Sequence, residues 1–286
     1  MASSPLNTKS QFHARSNSLP SRPHPFMSRI DEQLCRLRAT EASSSSISIR
    51  INGLTDLYDL VDNFLLLPET QATLAQERHE KQVDEVLDRS LRLMDVCGNT
   101  KDSLLKIKEE TQELQSILRR RRGDESKLVI KVGEYLSSKK KANKVIRKSL
   151  KDLKSICVFS SLDNEATTIN ILREVDGVTF QVFDSLLSNI SGSKLQSKSS
   201  GWSLVSKSMK SKRITCEEAT EVNGFEKVDA TLSSLIGNKS GNMNAENAQN
   251  VLGKLESCIQ DLEEGFECLR RRLIKTRVIL LNILNH

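Results

Sequence analysis

Apolar residues recur through residues 245–286 at alternating steps of four and three. Nine of the eleven positions in this stripe carry large apolar side chains. Its members are Ala248, Leu252, Leu255, Ile259, Leu262, Phe266, Leu269, Leu273, Thr276, Leu280 and Ile283. A mean spacing of about 3.5 residues keeps a narrow stripe on one side of a helix, as in coiled coils. The pattern predicts a long final helix whose stripe must be covered by other helices.

Helical periodicity also marks several earlier stretches of the chain. The predicted helices cover 54–67, 76–122, 128–154 and 162–190, with shorter amphipathic segments at 30–39 and 228–236. Asn52-Gly53 precedes the first of them and Pro68 follows it, and both signals are typical of helix boundaries. Gly98-Asn99 interrupts the second, which is consistent either with two helices or with one continuous helix.

The composition favours helices over sheets. Only 4% of the 286 residues are aromatic, and the chain has 12 glycines and five prolines, too few for the many turns of a β-sandwich. We predict an all-α fold, an elongated multi-helix bundle with coiled-coil-like packing on the long C-terminal helix. Residues 30–286 are predicted to form one bundle domain, with a basic, flexible linker at about 191–247. Residues 1–29 are predicted to be a disordered tail.

The tail contains a candidate phosphorylation motif. Residues 1–29 have no acidic residue and are rich in serine, which disfavours a packed core. Arg15, Ser18 and Pro20 form the pattern R-S-x-S-x-P. Phosphorylation of Ser18 would create a ligand of the kind that 14-3-3 proteins bind with an arginine cluster. A solvated tail without a partner and a plastid transit peptide are the alternatives.

Positive charge is concentrated in one part of the chain. The whole chain has a formal net charge of +6, whereas residues 119–154 contain 14 basic and four acidic residues, a net of +10. The candidate patch for an anionic surface is Lys139, Lys140, Lys141, Lys144, Arg147, Lys148 and Lys151. An anionic membrane and a solvated helix face that pairs with acidic neighbours are both consistent with it. Nucleic acid is disfavoured, because no aromatic residues for base stacking interleave with the lysines.

No motif of reaction chemistry occurs in the sequence. The six cysteines form no CxxC pair, and there is no Gly-rich phosphate loop, GxSxG or HExxH pattern. Asp56, Asp59 and Asp62 share one helical side but lack the glycine turn of a calcium loop, so a solvated acidic face is expected. We predict a protein that is not an enzyme and binds no metal or cofactor.

No run of apolar residues reaches the length of a transmembrane helix. The predicted location is therefore the cytoplasm, with peripheral membrane association or plastid import as alternatives.

Several blocks of the sequence resemble one plant-specific family. They are Phe12 to Pro25, Ser90 to Gly98, Leu172 to Asp176, Trp202 to Lys207, Leu273 to Val278 and Leu281 to Leu284. Together they are similar to the domain of unknown function 241 family, which is grouped with BYPASS-type proteins of root and shoot development. The resemblance implies a plant source, an α-helical fold and a part in development, and it supplies no catalytic residues. The expected function is a non-enzymatic interaction or regulatory protein with unidentified partners.

Overall fold

The structure is a computed structural model that describes residues 25–42, 47–76, 81–120, 125–156, 168–191, 224–237 and 241–285. These residues form eight α-helices and no strand, which confirms the all-α prediction. The helices are α1 (Pro25–Ala42), α2 (Ile47–Leu65), α3 (Pro68–Gln76), α4 (Lys81–Arg119), α5 (Glu125–Ile156), α6 (Thr168–Ile190), α7 (Gly224–Gly237) and α8 (Gly241–Asn285). Residues 1–24 and 192–223, which hold most of the predicted tail and the start of the predicted linker, lie outside the described residues.

The stripe of α8 is the centre of the hydrophobic core. All eleven of its members are buried, and none is more than 8% exposed. Helices α2, α4 and α7 are its main neighbours, and the buried apolar cluster includes side chains from all eight helices. The predicted packing of helices along a long C-terminal helix is confirmed.

Charged pairs show that α4 and α8 run in opposite directions. Lys101 binds Glu267 at 2.7 Å, and Lys108 binds Glu263 at 2.8 Å. As the residue number rises along α4 it falls along α8, so the two helices are antiparallel. Ion pairs of this kind contribute about 1 kcal/mol or less each where solvent reaches them, and they set the register more than the stability.

Helix α2 lies parallel to α8 and approaches it closely. A Cβ atom at Gly265 would lie 2.8 Å from the Cγ2 atom of Ile51, closer than side chains tolerate. Ten and eleven residues further along α8, the exposed Lys275 and the buried Thr276 reach the carboxylate of Asp62, which accepts a hydrogen bond from the Thr276 hydroxyl and lies 3.0 Å from Lys275 Nζ. Asp62 is 1% exposed. It is therefore a buried, paired carboxylate, and the prediction of a solvated acidic face is wrong at this position.

The start of α2 also differs from the prediction, which placed Asn52-Gly53 before the helix. Helix α2 begins at Ile47 and continues through Gly53. A Cβ atom on Gly53 would lie 2.8 Å from Leu37 Cδ2, and the Gln33 amide donates a hydrogen bond of 2.9 Å to the Gly53 carbonyl. The glycine therefore permits the close packing of α1 on α2 and does not mark a turn.

Helix α4 is continuous through Gly98-Asn99, so the one-helix alternative is correct. The Asn99 amide does not cap a helix end but donates a hydrogen bond of 3.0 Å to Ser149 Oγ on α5. Pro68 marks a helix boundary as predicted, since α2 ends at Leu65, and it also opens α3, where the missing backbone N–H has no helical partner to lose.

The close approach at Gly265 leads to the first prediction. Gly265→Ala should lower the unfolding free energy by about 1–3 kcal/mol, because the added methyl overlaps the stiff, buried Ile51 side chain. Gly253→Ala is the matched control on the same helix, where nothing lies within 4 Å of the added atom. The control should raise stability by up to about 1 kcal/mol, since alanine favours a helix. Chemical denaturation measures both, and a stabilised Gly265→Ala variant would contradict the packing of α2 on α8.

Candidate functional site

The basic residues of α5 divide between its buried and its exposed sides. The buried side consists of apolar residues at helical spacing, Val132, Tyr135, Ala142, Ile146, Leu150 and Leu153. Five lysines lie opposite them, within a sector of about 100° at about 100° of rotation per residue. We call this set, Lys140, Lys141, Lys144, Lys148 and Lys151, the lysine stripe; all five are exposed. Five of the seven residues of the predicted patch thus share one solvent-exposed surface.

Lys139 does not belong to this exposed surface. It is 7% exposed, and its ammonium group donates hydrogen bonds to the Phe225 carbonyl oxygen at 2.8 Å and to the Asp229 carboxylate. Its Nζ atom also lies 5.8 Å from the centre of the Phe225 ring. Lys139 lies one turn after Tyr135 and three residues before Ala142, both of which are buried. This spacing puts Lys139 on the apolar side of α5, and it could have indicated the burial of the lysine from the sequence. Its role is to attach α7 to α5.

Arg147 occupies the edge of the patch. It is exposed, and its guanidinium donates a hydrogen bond of 3.0 Å to the carbonyl oxygen of Ser191, immediately after the end of α6. The Asn143 amide donates to the same oxygen at 3.2 Å. A cation at this end of a helix is favourable, because the carbonyl groups there carry partial negative charge. Arg147 retains further N–H groups for a ligand, since one of its five donors is used here.

A groove lies between α5 and α7 beside these residues. Its volume is about 410 Å³, within the range of small-molecule sites. Its lining is Leu136, Lys139, Lys140, Asn143, Lys144, Arg147 and Asp229. Four cations and one carboxylate give it a net charge of +3. The groove therefore favours an anion.

Three buried polar atoms near the groove have no hydrogen-bond partner among the described residues. They are Asn143 Oδ1, Asp229 Oδ1 and the Tyr135 hydroxyl. Burial raises the pKa of Tyr135, and the nearby charge of Asp229 raises it further, so the hydroxyl keeps its proton. Buried polar groups are nearly always paired in proteins, so each of these three atoms needs an explanation such as a water molecule or a ligand.

A group of carboxylates elsewhere has the geometry of a cation site. Oxygen atoms of Glu110, Glu113 and Glu134 lie within 4.8 Å of one another. Lys131 Nζ is 2.8 Å from Glu113 and 2.6 Å from Glu134, and these hydrogen bonds raise the pKa of Lys131. The ammonium group thus pairs with two of the three carboxylates, and we assign no metal to the cluster.

Titratable groups are also buried between α2, α4 and α6. Burial raises the pKa of Asp176 from 3.8 to about 7, and the positive charge of Arg89 only partly offsets this effect. Tyr58 donates a hydrogen bond of 3.2 Å to Thr179 Oγ1, because the Thr179 hydroxyl already donates to the Val175 carbonyl. Burial also raises the pKa of the Cys97 thiol, which makes it a poor nucleophile.

The raised pKa of Asp176 predicts a pH-dependent stability. The folded protein holds this proton more tightly than the unfolded chain, so the contribution to stability is complete below about pH 4 and is lost as the pH rises to about 7. Asp176→Asn should flatten the dependence of the unfolding free energy on pH between 4 and 7. Denaturation at a series of pH values measures this slope. Asp261→Asn, at an exposed position of α8, is the control, and equal slopes in wild type and Asp176→Asn would contradict the assignment.

The remaining predicted residues, Arg15, Ser18 and Pro20, lie outside the described residues, so the structure does not place them. Within the part of the chain that is described, none of the helices combines the length and the apolar character needed to cross a membrane.

Comparison with known proteins identifies the family. Neither the curated proteins nor the solved structures gave a match. A protein-family model described as Protein BPS1 matches residues 50–283, from the first turn of α2 to the last turns of α8. The matched range contains the lysine stripe, the groove and the whole α8 stripe, and it agrees with the resemblance to BYPASS-type proteins. The chain therefore belongs to the BPS1 family.

Proposed function

We propose that this protein is a non-enzymatic, helical interaction protein that regulates root and shoot development in plants. Membership of the BPS1 family is compatible with a developmental regulatory role. The observation that carries the proposal is the two-sided character of α5. Its apolar side packs in the core, and five lysines are exposed on its opposite side. Such a surface recruits an anionic partner by long-range attraction and needs no reaction chemistry. Cytoplasmic action is part of this proposal, with plastid import as its alternative if residues 1–29 are a transit peptide.

The tail is the second interaction element of the proposal. A phosphate on Ser18, read together with Arg15 and Pro20, would recruit a 14-3-3 protein, and the lysine stripe would remain free for other partners. The two elements are separate in sequence, so they can be tested independently.

Affinity purification from root and shoot tissue tests this proposal. The tagged full chain should recover a reproducible set of partners, and Lys148→Glu/Lys151→Glu should lose those that bind through the stripe, because charge reversal replaces attraction by repulsion. Ser18→Ala should lose 14-3-3 proteins alone, and phosphopeptide analysis of the wild type should find Ser18 modified. Identical recovery by wild type and the stripe variant would contradict the role of the stripe. Unmodified Ser18 in every tissue would contradict the role of the tail.

Peripheral binding to an anionic membrane is the second candidate function. The observation that favours it is the presence of exposed apolar side chains beside the lysines: Ile130 is 59% exposed and Val145 is 44% exposed. Lysines near an anionic bilayer contribute about 1 kcal/mol each, so the five together supply roughly 5 kcal/mol when all approach the surface. This is enough for reversible association but weak compared with a transmembrane anchor.

Vesicle flotation distinguishes this candidate. With phosphatidylcholine vesicles that contain phosphatidylserine, the protein should float at low salt and be released in 1 M salt, where the screening length falls to about 3 Å. Lys148→Gln/Lys151→Gln should weaken flotation several-fold, and vesicles of phosphatidylcholine alone serve as control. Absence of flotation at low salt, or equal flotation on neutral vesicles, would rule out the membrane role.

A further inference from the structure

We propose that the groove between α5 and α7 binds a phosphorylated polyol, such as an inositol phosphate or the same group on a lipid. This inference rests on the proposed affinity of the lysine stripe for anions, because Lys140 and Lys144 belong to both the stripe and the groove. It goes beyond that function because it assigns a specific class of ligand, a phosphorylated polyol, to the part of the stripe that lines the groove.

The order of side chains across the groove indicates where the phosphates lie. Rotation of about 100° per residue sets Lys140 and Lys144 furthest from the core, on the outer lip of the α5 wall, with Arg147 beside them. Lys140 and Lys144 are exposed, and no ion pair involves either of them among the described residues. Arg147 keeps donors beyond the one that binds Ser191. These three cations form a site for one or two phosphate groups at the solvent-facing edge.

The floor of the groove has the opposite character. Asn143 Oδ1 and Asp229 Oδ1 are buried hydrogen-bond acceptors that no described residue satisfies. Lys139 neutralises the Asp229 carboxylate through its other oxygen, Oδ2. A fully ionised phosphate group has no proton to donate to these acceptors, whereas a hydroxyl group donates readily to both. The floor therefore selects hydroxyl groups.

A ligand that satisfies both parts must carry phosphate on one side and hydroxyl groups on the other. A polyol ring with phosphate substituents has this distribution, and its C–H surface matches Leu136, which lines the same wall and is 37% exposed. A fully ionised anion without hydrogen-bond donors would meet the lip but leave the acceptors of the floor unpaired. The chemistry of the groove thus favours a polyol phosphate over anions that carry no donor.

Calorimetric titration of the full chain with inositol 1,4,5-trisphosphate tests the inference, with tripolyphosphate as an anion that lacks hydroxyl groups. The trisphosphate should bind with one site per chain and at least tenfold more tightly than tripolyphosphate. Lys140→Gln/Lys144→Gln should weaken this binding at least tenfold. Lys148→Gln/Lys151→Gln removes the same charge from the same stripe outside the groove and should change it less than threefold. Asn143→Ala should reduce the preference for the trisphosphate over tripolyphosphate.

An equal loss of affinity for the trisphosphate in the two lysine variants would contradict binding in the groove and would indicate diffuse binding along the lysine stripe. Equal affinities of the wild type for the two anions would contradict it as well. Absence of binding to the trisphosphate would also contradict the proposed site. Flotation on phosphatidylserine vesicles tests the lysine stripe separately and can still succeed in that case.

Vesicles that contain phosphatidylinositol 4,5-bisphosphate identify the source of the ligand. Binding to these vesicles supports the lipid headgroup, and binding to the soluble trisphosphate alone supports a free polyol phosphate. Unchanged thermal melting confirms that each variant is folded.

Discussion

Burial of the apolar stripe on α8 is the interaction on which the other helices depend. A helix of 45 residues cannot cover such a stripe alone, and each fully buried Leu or Ile is worth about 1.5–3 kcal/mol. Helices α2, α4 and α7 are the main neighbours that cover it, and α5 and α6 attach mainly to α4 and to one another. At Gly265 the packing of α2 on α8 is close, because the absence of a side chain there lets Ile51 approach the backbone of α8.

Polar contacts determine the register in which the helices meet, because apolar surfaces alone permit sliding. Thr276 is the one hydroxyl in the stripe, and its hydrogen bond to the buried Asp62 fits only one alignment of α2 with α8. On the other side of α8, Lys108 and Glu263 fix the alignment of α4. Buried polar pairs contribute little net stability, but a misaligned helix would leave Asp62 unpaired at a cost of several kcal/mol. The polar residues therefore select one bundle among the many that the apolar residues would allow.

Periodicity predicted every helix except α3 and all eleven members of the α8 stripe, because one helical side must be apolar wherever the core lies, and together with the composition it predicted the fold class. The errors concern residues whose role depends on a partner from elsewhere in the chain. Gly53 and Asn99 look like boundaries in sequence, and only the approach of Leu37 and the presence of Ser149 show them to be packing residues. Five members of the candidate patch were identifiable as one surface from the helical spacing. The groove was not, because Asp229 and Phe225 come from a helix about ninety residues away.

Lys139 connects the architecture of the bundle with its proposed chemistry. A lysine in an apolar register is costly to bury, and the structure compensates with the carboxylate of Asp229, the Phe225 carbonyl and the aromatic ring of Phe225. Those contacts attach α7 to α5 beside the groove, and Lys139 and Asp229 both line it. Lys139 is thus a structural residue of the groove wall, and Lys140 and Lys144 are the exposed lysines of the same wall to which we assign the proposed ligand.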